Sequence, residues 1–336
     1  MKQLSVIIPV YNVEKYVYEC VDSVFRQGLD ENIFEVIIVN DGTMDNSMSV
    51  IKELIASHSN IIVISQENQG LSVARNKGLA IAEGEYILMP DSDDVLVDNS
   101  VQPLLEKALS TKTDMIIADF MQMNDDEIAA IKGHHPIQIE VTAKVATGPE
   151  LLEKELCQFY WRTLYRREFL KSNHITFIPG IYSQDVPFTY ECLLKAKKCL
   201  RTHWKLIIYR HGHNSVSWTF HLRRAKNMCT ATVKVWELTK TVILSKEFRR
   251  KQEDIAFLVF YDLISATTFG HLQSVSEMFE VIDFLKREAP DLHFHNGINQ
   301  RIWSFMYKRL PHSFILLRYY FEITRKHLSI KKRLGC

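Results

Sequence analysis

Four short apolar runs, each followed by a polar loop, constrain what this chain can fold into more than anything else in it. Leu4 to Pro9 and Phe34 to Val39 are nearly continuous β-branched and aliphatic sequence, the mark of strands covered on both faces in a parallel sheet. Ile61 to Ile64 and Tyr86 to Met89 repeat the signal more briefly. Between the runs the apolar spacing changes to three and four. Val13, Tyr16, Val17, Cys20, Val21, Val24 and Phe25 predict a helix that Asn12 is placed to cap, and Met48, Ile51, Leu54 and Ile55 predict a second. Gly70 to Gly78 opens a small-residue helix that Gly84 is expected to close. Strand and helix alternate four times, which predicts an α/β fold with a mostly parallel open sheet flanked by helices, joined by right-handed crossovers. In such sheets the ligand crevice lies at the carboxyl ends of the strands, and Tyr11, Asp41, Gln69 and Asp91 all follow strand ends.

The fourth run empties into Asp91-Ser92-Asp93-Asp94. Carboxylates this close repel one another unless they are solvated or share a cation. In an extended segment Asp91 and Asp93 point the same way and can converge on a hard ion such as Mg²⁺ or Mn²⁺, with Ser92 facing away. A solvated turn, rich in Asp and Ser because these residues favour turns, explains the same four residues.

At 336 residues the chain exceeds the usual size of a single core, so one large domain, residues 1–218, and a second region, 219–336, are expected. Forty-one basic residues against 40 acidic ones leave a net charge of +1, which predicts no nucleic-acid partner. Cys20, Cys157, Cys192, Cys199, Cys229 and Cys336 show no paired short spacing and suit reduced thiols. No basic-then-apolar leader opens the sequence, and Asp262 interrupts the longest apolar stretch, Ile255 to Phe269. The expected location is therefore the cytoplasm, with the inner face of the membrane within reach of the tail.

Further along, Asp114 to Ala118, Tyr160 to Tyr165 and Trp204 to Tyr209 read as strands, and Asp119 to Val141 as a loop or hairpin carrying His134 and His135. A helix is expected from about Asp185 to Lys198, and four more in the α-helical C-terminal region, over Ala225 to Leu244, Ile255 to Thr267, Val275 to Lys286 and Ile298 to Leu310. From Arg318 to Arg333 six basic residues interleave with aromatic and aliphatic ones, the composition of an interfacial helix or of a terminal helix packed on its neighbours.

With these residues in view, Met1 to Ser217 resembles a family 2 glycosyltransferase of GT-A fold. The resemblance rests on Ser5-Val6-Ile7-Ile8-Pro9-Val10-Tyr11-Asn12, Val39-Asn40-Asp41-Gly42-Thr43, Asn68-Gln69-Gly70 with Ala74-Arg75-Asn76 and Gly78, and Asp91-Ser92-Asp93-Asp94, in that family's order. It implies an inverting transferase that moves a sugar from a UDP-sugar to a hydroxyl of a glycan or lipid-linked sugar, as in surface polysaccharide synthesis. Pro9, Tyr11 and Asp41 would receive the base, with Tyr11 stacking and Asp41 accepting the uracil imide hydrogen. Arg75 would lie near the base or diphosphate, Asp91 near ribose and metal, and Asp93 on the Mn²⁺ or Mg²⁺ itself. Asp185 would be the catalytic base, although its place at a helix start also suits a simple cap.

The chain departs from the family pattern in two places: Gln184 precedes Asp185 where a Glu is usual, and Thr163 stands where a Lys often precedes Leu164-Tyr165-Arg166. The loop from Arg210 to Ser217 resembles the segment that closes over the donor, which makes Arg210, His211 and His213 candidate diphosphate contacts, or residues of an ordinary exposed loop. A pyrophosphorylase would need a glycine-rich phosphate loop, which is absent from Pro9 to Val13. A catalytically silent donor-binding or scaffold subunit is the competing reading, and turnover of a nucleotide sugar separates the two.

Overall fold

The computed structural model describes residues 2–131, 145–152, 159–181, 183–211, 222–241, 257, 260, 274–293, 297–313, 315 and 316. The expected segments His134-His135, His213 and the tail from 317 onward lie outside these residues. The chain divides into two compact units, residues 1–180 with 188–214, and residues 181–187 with 215–336.

In the first unit the strand and helix segments are β1 (Leu4–Val10), α1 (Val17–Phe25), β2 (Phe34–Asn40), α2 (Ser47–Val50), α3 (Lys52–Ser57), β3 (Ile61–Ser65), α4 (Leu71–Ile81) and β4 (Tyr86–Leu88). They continue through β5 (Val95–Leu96), α5 (Val101–Thr111), β6 (Met115–Met123), α6 (Asp125–Ile131), β7 (Val145–Ala146), α7 (Gly148–Leu152), β8 (Thr163–Arg166), α8 (Arg167–Ser172), α9 (Asp185–Lys195, of which residues 185–187 count with the second unit) and β9 (Cys199–Arg210). The sheet runs β3-β2-β1-β4-β8-β6-β9-β5, with β7 on β9. Its first four strands are parallel. Every side chain of β1 is buried and β2 exposes only Asn40 in part, as continuous apolar runs covered on both faces require. Beyond β4 the joins mix, because β8 enters antiparallel between β4 and β6 while β6 and β9 run parallel.

Strand β5 was not anticipated, since two residues carry no period. Val95 and Leu96 pair antiparallel with Ile208 and Ile207 of β9, and Val95 clusters with Val97, Ile128 and Ile208. Only six residues separate β4 from β5, and several of them fold into a turn, so the sheet curls to bring its middle near its far strand.

Four local expectations change for physical reasons. Asn12 does not cap α1: its φ is +53°, and its backbone N–H donates to Thr43 Oγ1 at 2.8 Å, so a turn occupies 13–16 and the helix starts at Val17. The second helix breaks at Ile51 into α2 and α3. Gly84 is not a helix cap: it lies against the backbone of Leu4 and Ser5, where any Cβ would fall far inside van der Waals contact, and its N–H donates to Ser5 Oγ at 2.8 Å. Asp119 to Met123 is the second half of β6, and α6 follows it with a reciprocal cap between Asn124 and Glu127.

The second unit holds α10 (Leu222–Thr241), α11 (Val275–Glu288) and α12 (Gly297–Arg309). Ser274 caps α11 by accepting from Glu277 N at 3.2 Å, and α10 buries Cys229, Val235 and Trp236. Among the described residues no helix is long and apolar enough to cross a membrane. Cys20, Cys192, Cys199 and Cys229 are buried and unbridged.

Candidate active site

The acidic segment after β4 is a turn, closed by Asp94 N donating to Asp91 O at 3.1 Å. This corrects the extended geometry expected from sequence, although burial still alternates along the four residues. Asp91 and Asp93 are partly exposed, while Ser92 and Asp94 are buried, Asp94 at 1%. Asp94 Oδ1 accepts from Arg210 N at 2.9 Å, and its Oδ2 has no hydrogen-bond partner. Burial, followed by the charges of Asp93 and Asp91, pushes the Asp94 carboxyl well above the usual carboxylate range and favours its protonated form.

Arg210 holds this turn from the end of β9. Its Nε donates to Asp93 O at 2.8 Å, its Nη2 pairs with Glu19 at 2.6 Å and its Nη1 with Asp125, while the guanidinium carbon stands 5.0 Å from the centre of the Tyr16 ring. A diphosphate contact was expected of Arg210; the structure commits its buried guanidinium to these protein acceptors. His211 stands partly exposed beside it, 3.9 Å from Glu127.

Arg75, on α4, is fully buried. Its Nη2 donates to both Asp91 Oδ1 and Tyr160 Oη, and the Tyr160 hydroxyl donates to the same carboxylate oxygen, closing a triangle. The guanidinium lies 4.2 Å from the centre of the Tyr160 ring and 5.2 Å from that of Phe177. Asn76 fixes Phe177 by exchanging two hydrogen bonds with its backbone, at 2.8 and 2.9 Å, and Phe177 stacks on Phe188 at 3.9 Å. Gly78 lets α4 approach β1, since a Cβ there would collide with Ile7. The Ala74-Arg75-Asn76…Gly78 pattern is thereby explained: it seats a cation that orients Asp91.

At the adjoining strand ends, register places Pro9 beside Val39 and Val10 beside Asn40, so that Tyr11, 41% exposed, and Asp41, nearly buried, follow neighbouring strands. Asp41 Oδ1 accepts from Gln66 Nε2 at 2.6 Å and Gln69 N at 2.9 Å, and Oδ2 accepts from Gly70 N at 2.9 Å. A carboxylate has about four lone-pair sites, so one on Oδ2 remains. Asp41 therefore ties the β2 end to the start of α4 and does not cap α2. The loop after Asp41 is pinned by Asp45. Burial raises its pKa, but hydrogen bonds from Ser47, Thr43 and Glu14 N outweigh that and hold it at about 2, below the usual 3.8.

Asp185 is the first residue of α9 and belongs with residues 181–187 to the second unit. Among the described residues no three His, Cys, Asp or Glu side chains are grouped to hold a metal. Asp91 and Asp93 nevertheless offer hard oxygen donors on a partly exposed turn, and Mg²⁺-type ions commonly take one or two carboxylates and fill the remaining positions with substrate phosphates and water. The donor set fits such an ion.

Sequence reasoning missed Asp94 as the buried member, Asp45 as a loop anchor and Tyr160 as the partner of Asp91. No short-range signal could have joined Tyr160 to a residue 69 positions away.

An open, curled α/β sheet with an acidic turn and an aspartate-anchored loop at one strand edge defines the class of GT-A-type transferases. The chain belongs to glycosyl transferase family 2, whose model matches residues 5–173. It is 34% identical over 222 residues to the uncharacterized glycosyltransferase EpsJ of Bacillus subtilis, covering 64% of this chain and 62% of that protein, so it spans less than two thirds of that relative's length. The structure of Staphylococcus aureus TarS 1–349 with UDP-GlcNAc superimposes with a TM-score of 0.62 and 18% identity, over 85% of this chain and 89% of that one. The mannosyltransferase PcManGT of Pyrobaculum calidifontis, with GDP-Man and Mn²⁺, gives 0.56 and 13% identity over 96% and 87%. At these identities the two structures establish the fold.

Proposed function

We propose that the chain transfers a sugar from a UDP-sugar to a hydroxyl of a glycan or glycolipid acceptor, with inversion and with Mg²⁺ or Mn²⁺, during synthesis of a surface polysaccharide. The observation that carries this reading is the arrangement at one sheet edge, where Tyr11, Asp41 and Asp91 follow β1, β2 and β4 and Arg75 fixes the Asp91 carboxylate.

The half-exposed Tyr11 ring supplies a stacking face for the base, and Asp41, with one lone pair left on Oδ2, accepts the uracil imide hydrogen. Asp93, backed by Asp91, would hold the cation. A divalent ion bound there would neutralise charge that develops on a departing nucleoside diphosphate. Arg75 acts as a positioning residue, because its guanidinium is enclosed between aromatic rings and reaches Asp91 rather than open space. Arg210 likewise positions the turn, which leaves His211 and His213 as the candidates for diphosphate contact.

Inversion is a single in-line displacement, so the acceptor hydroxyl must lose its proton on the face opposite the leaving group, and one carboxylate suffices. Asp185, held at the start of α9, is assigned that role. The domain boundary is placed near residue 218, and the basic-aromatic segment 311–336 is assigned a contact with the cytoplasmic face of a membrane where lipid-linked acceptors are presented. The test is a panel of nucleotide sugars with and without Mn²⁺, scored for release of nucleoside diphosphate. Metal-dependent turnover of a UDP-sugar supports the reading, and binding without turnover of any donor replaces it with a silent subunit.

A further inference from the structure

Helix α12 carries an outward face that neither the transfer chemistry nor packing explains. Ile302 is 53% and Phe305 59% exposed, whereas an aromatic side chain is normally withdrawn from water at a helix surface. At 100° per residue, Lys308, Arg301, Phe305, Arg309 and Ile302 fall in that order within an arc of about 120°, with Phe305 at its centre. The opposite side is the packed one: Tyr307 is buried and its hydroxyl donates to Ala289 O at 3.0 Å, while Trp303 lies edge-on to Phe260 at 6.1 Å. The helix is therefore correctly seated, and Phe305 is displayed by the same rotation that buries Tyr307.

Along its own segment the charge has one sign. From 297 to 316 the chain holds Arg301, Lys308 and Arg309 and no Asp or Glu. The asymmetry extends to the whole region: residues 215–336 contain 20 Lys and Arg against 11 Asp and Glu, a net +9, while residues 1–214 contain 21 against 29, a net −8. The overall charge of +1 conceals two opposed halves.

We propose that the outward face of α12 docks on an anionic lipid surface, with Phe305 and Ile302 entering the headgroup–acyl boundary and Arg301, Lys308 and Arg309 meeting the lipid headgroups. Apolar side chains at the centre of an arc flanked by cations are what such a helix needs, and the attraction of each cation falls within a Debye length of the surface. Leu310 and Leu316, past the helix end, are also 47% and 42% exposed. This surface adds to the membrane contact assigned above to segment 311–336 and rests on lipid contact alone, so it stands or falls apart from the transfer reaction.

The test is sedimentation of the full 336-residue chain with phosphatidylcholine vesicles made with and without phosphatidylglycerol. The wild type is expected to pellet with the anionic vesicles, to do so less at high salt, and to stay in solution with phosphatidylcholine alone. Phe305→Glu and the Lys308→Glu/Arg309→Glu pair should each lower partitioning about tenfold with circular dichroism unchanged. Removing 317–336 should leave a part of the binding that Phe305→Glu still abolishes. Phe305→Trp reports directly, because its emission should shift to the blue on the anionic vesicles. Binding by Phe305→Glu equal to wild type, no shift for Phe305→Trp, or a wild-type dimer that Phe305→Glu splits without any vesicle binding would each overturn the proposal. Release of nucleoside diphosphate in vesicle-free solution, read on the same preparations, keeps loss of docking distinct from loss of transfer.

Discussion

Arg75→Met tests whether the guanidinium between Tyr160 and Phe177 is what holds Asp91 in place. Methionine has nearly the same length and fills the slot with apolar atoms, so the change removes charge and hydrogen bonding more than volume. Breaking a buried ion pair costs about 3 to 5 kcal/mol when the remaining charge is sealed from water. Asp91, however, keeps 29% of its side chain exposed, so water recovers part of its solvation and the loss falls toward the lower end. Loss of the cation–π contact adds about 1 kcal/mol, and the apolar packing of methionine returns a similar amount. The net expectation is about 3 kcal/mol. Urea unfolding of the first unit should show it as a lower midpoint at unchanged slope, since the same surface is exposed. The decisive measurement is the cycle with Asp91→Asn: where no carboxylate remains, Arg75→Met should cost about 1 to 2 kcal/mol less. Equal losses in the two backgrounds, within about 0.5 kcal/mol, would refute the claim that Arg75 acts through Asp91.

Three further outcomes are expected. Asp93→Asn should lower sugar transfer by a few orders of magnitude with the fold intact, and chelator should do the same to the wild type; full activity in excess EDTA would refute a metal role. Asp45 has a folded pKa of about 2 against 3.8, so its contribution is present above about pH 4 and is lost as pH falls toward 2. After discounting for solvent screening this amounts to about 1 to 2 kcal/mol, and Asp45→Asn should flatten the decline in stability between those limits; an unchanged acid limb would count against it. Asp185→Asn should keep stability, because asparagine caps a helix as well as aspartate, while transfer falls by about 10² or more; ample transfer, or a product retaining the donor's anomeric configuration, would end the assignment as base.

The sequence by itself determined the four parallel strands, where each ends, and the polar residues delivered there. Those facts are local: a run such as Leu4 to Val10 must be covered on both faces whatever the rest of the chain does, and the loop after it must emerge at an edge. Asp91 and Asp93 were recognisable because three carboxylates in four residues demand an explanation wherever they fall. Which carboxylate is buried, and what holds the others, was decided only by the tertiary structure. Asp94 is protonation-prone because burial strips it of water beside Asp93 and Asp91, against which the N–H of Arg210 on β9 compensates only in part, and Asp91 is oriented by Tyr160, 69 residues on. Gly84 reads as a helix terminator in one dimension and is instead a place where two backbones touch. The outward turn of Phe305 depends on which face of α12 finds partners in Phe260 and Ala289. Burial and pairing are set by neighbours far away in sequence, and no period of two or 3.6 residues encodes them.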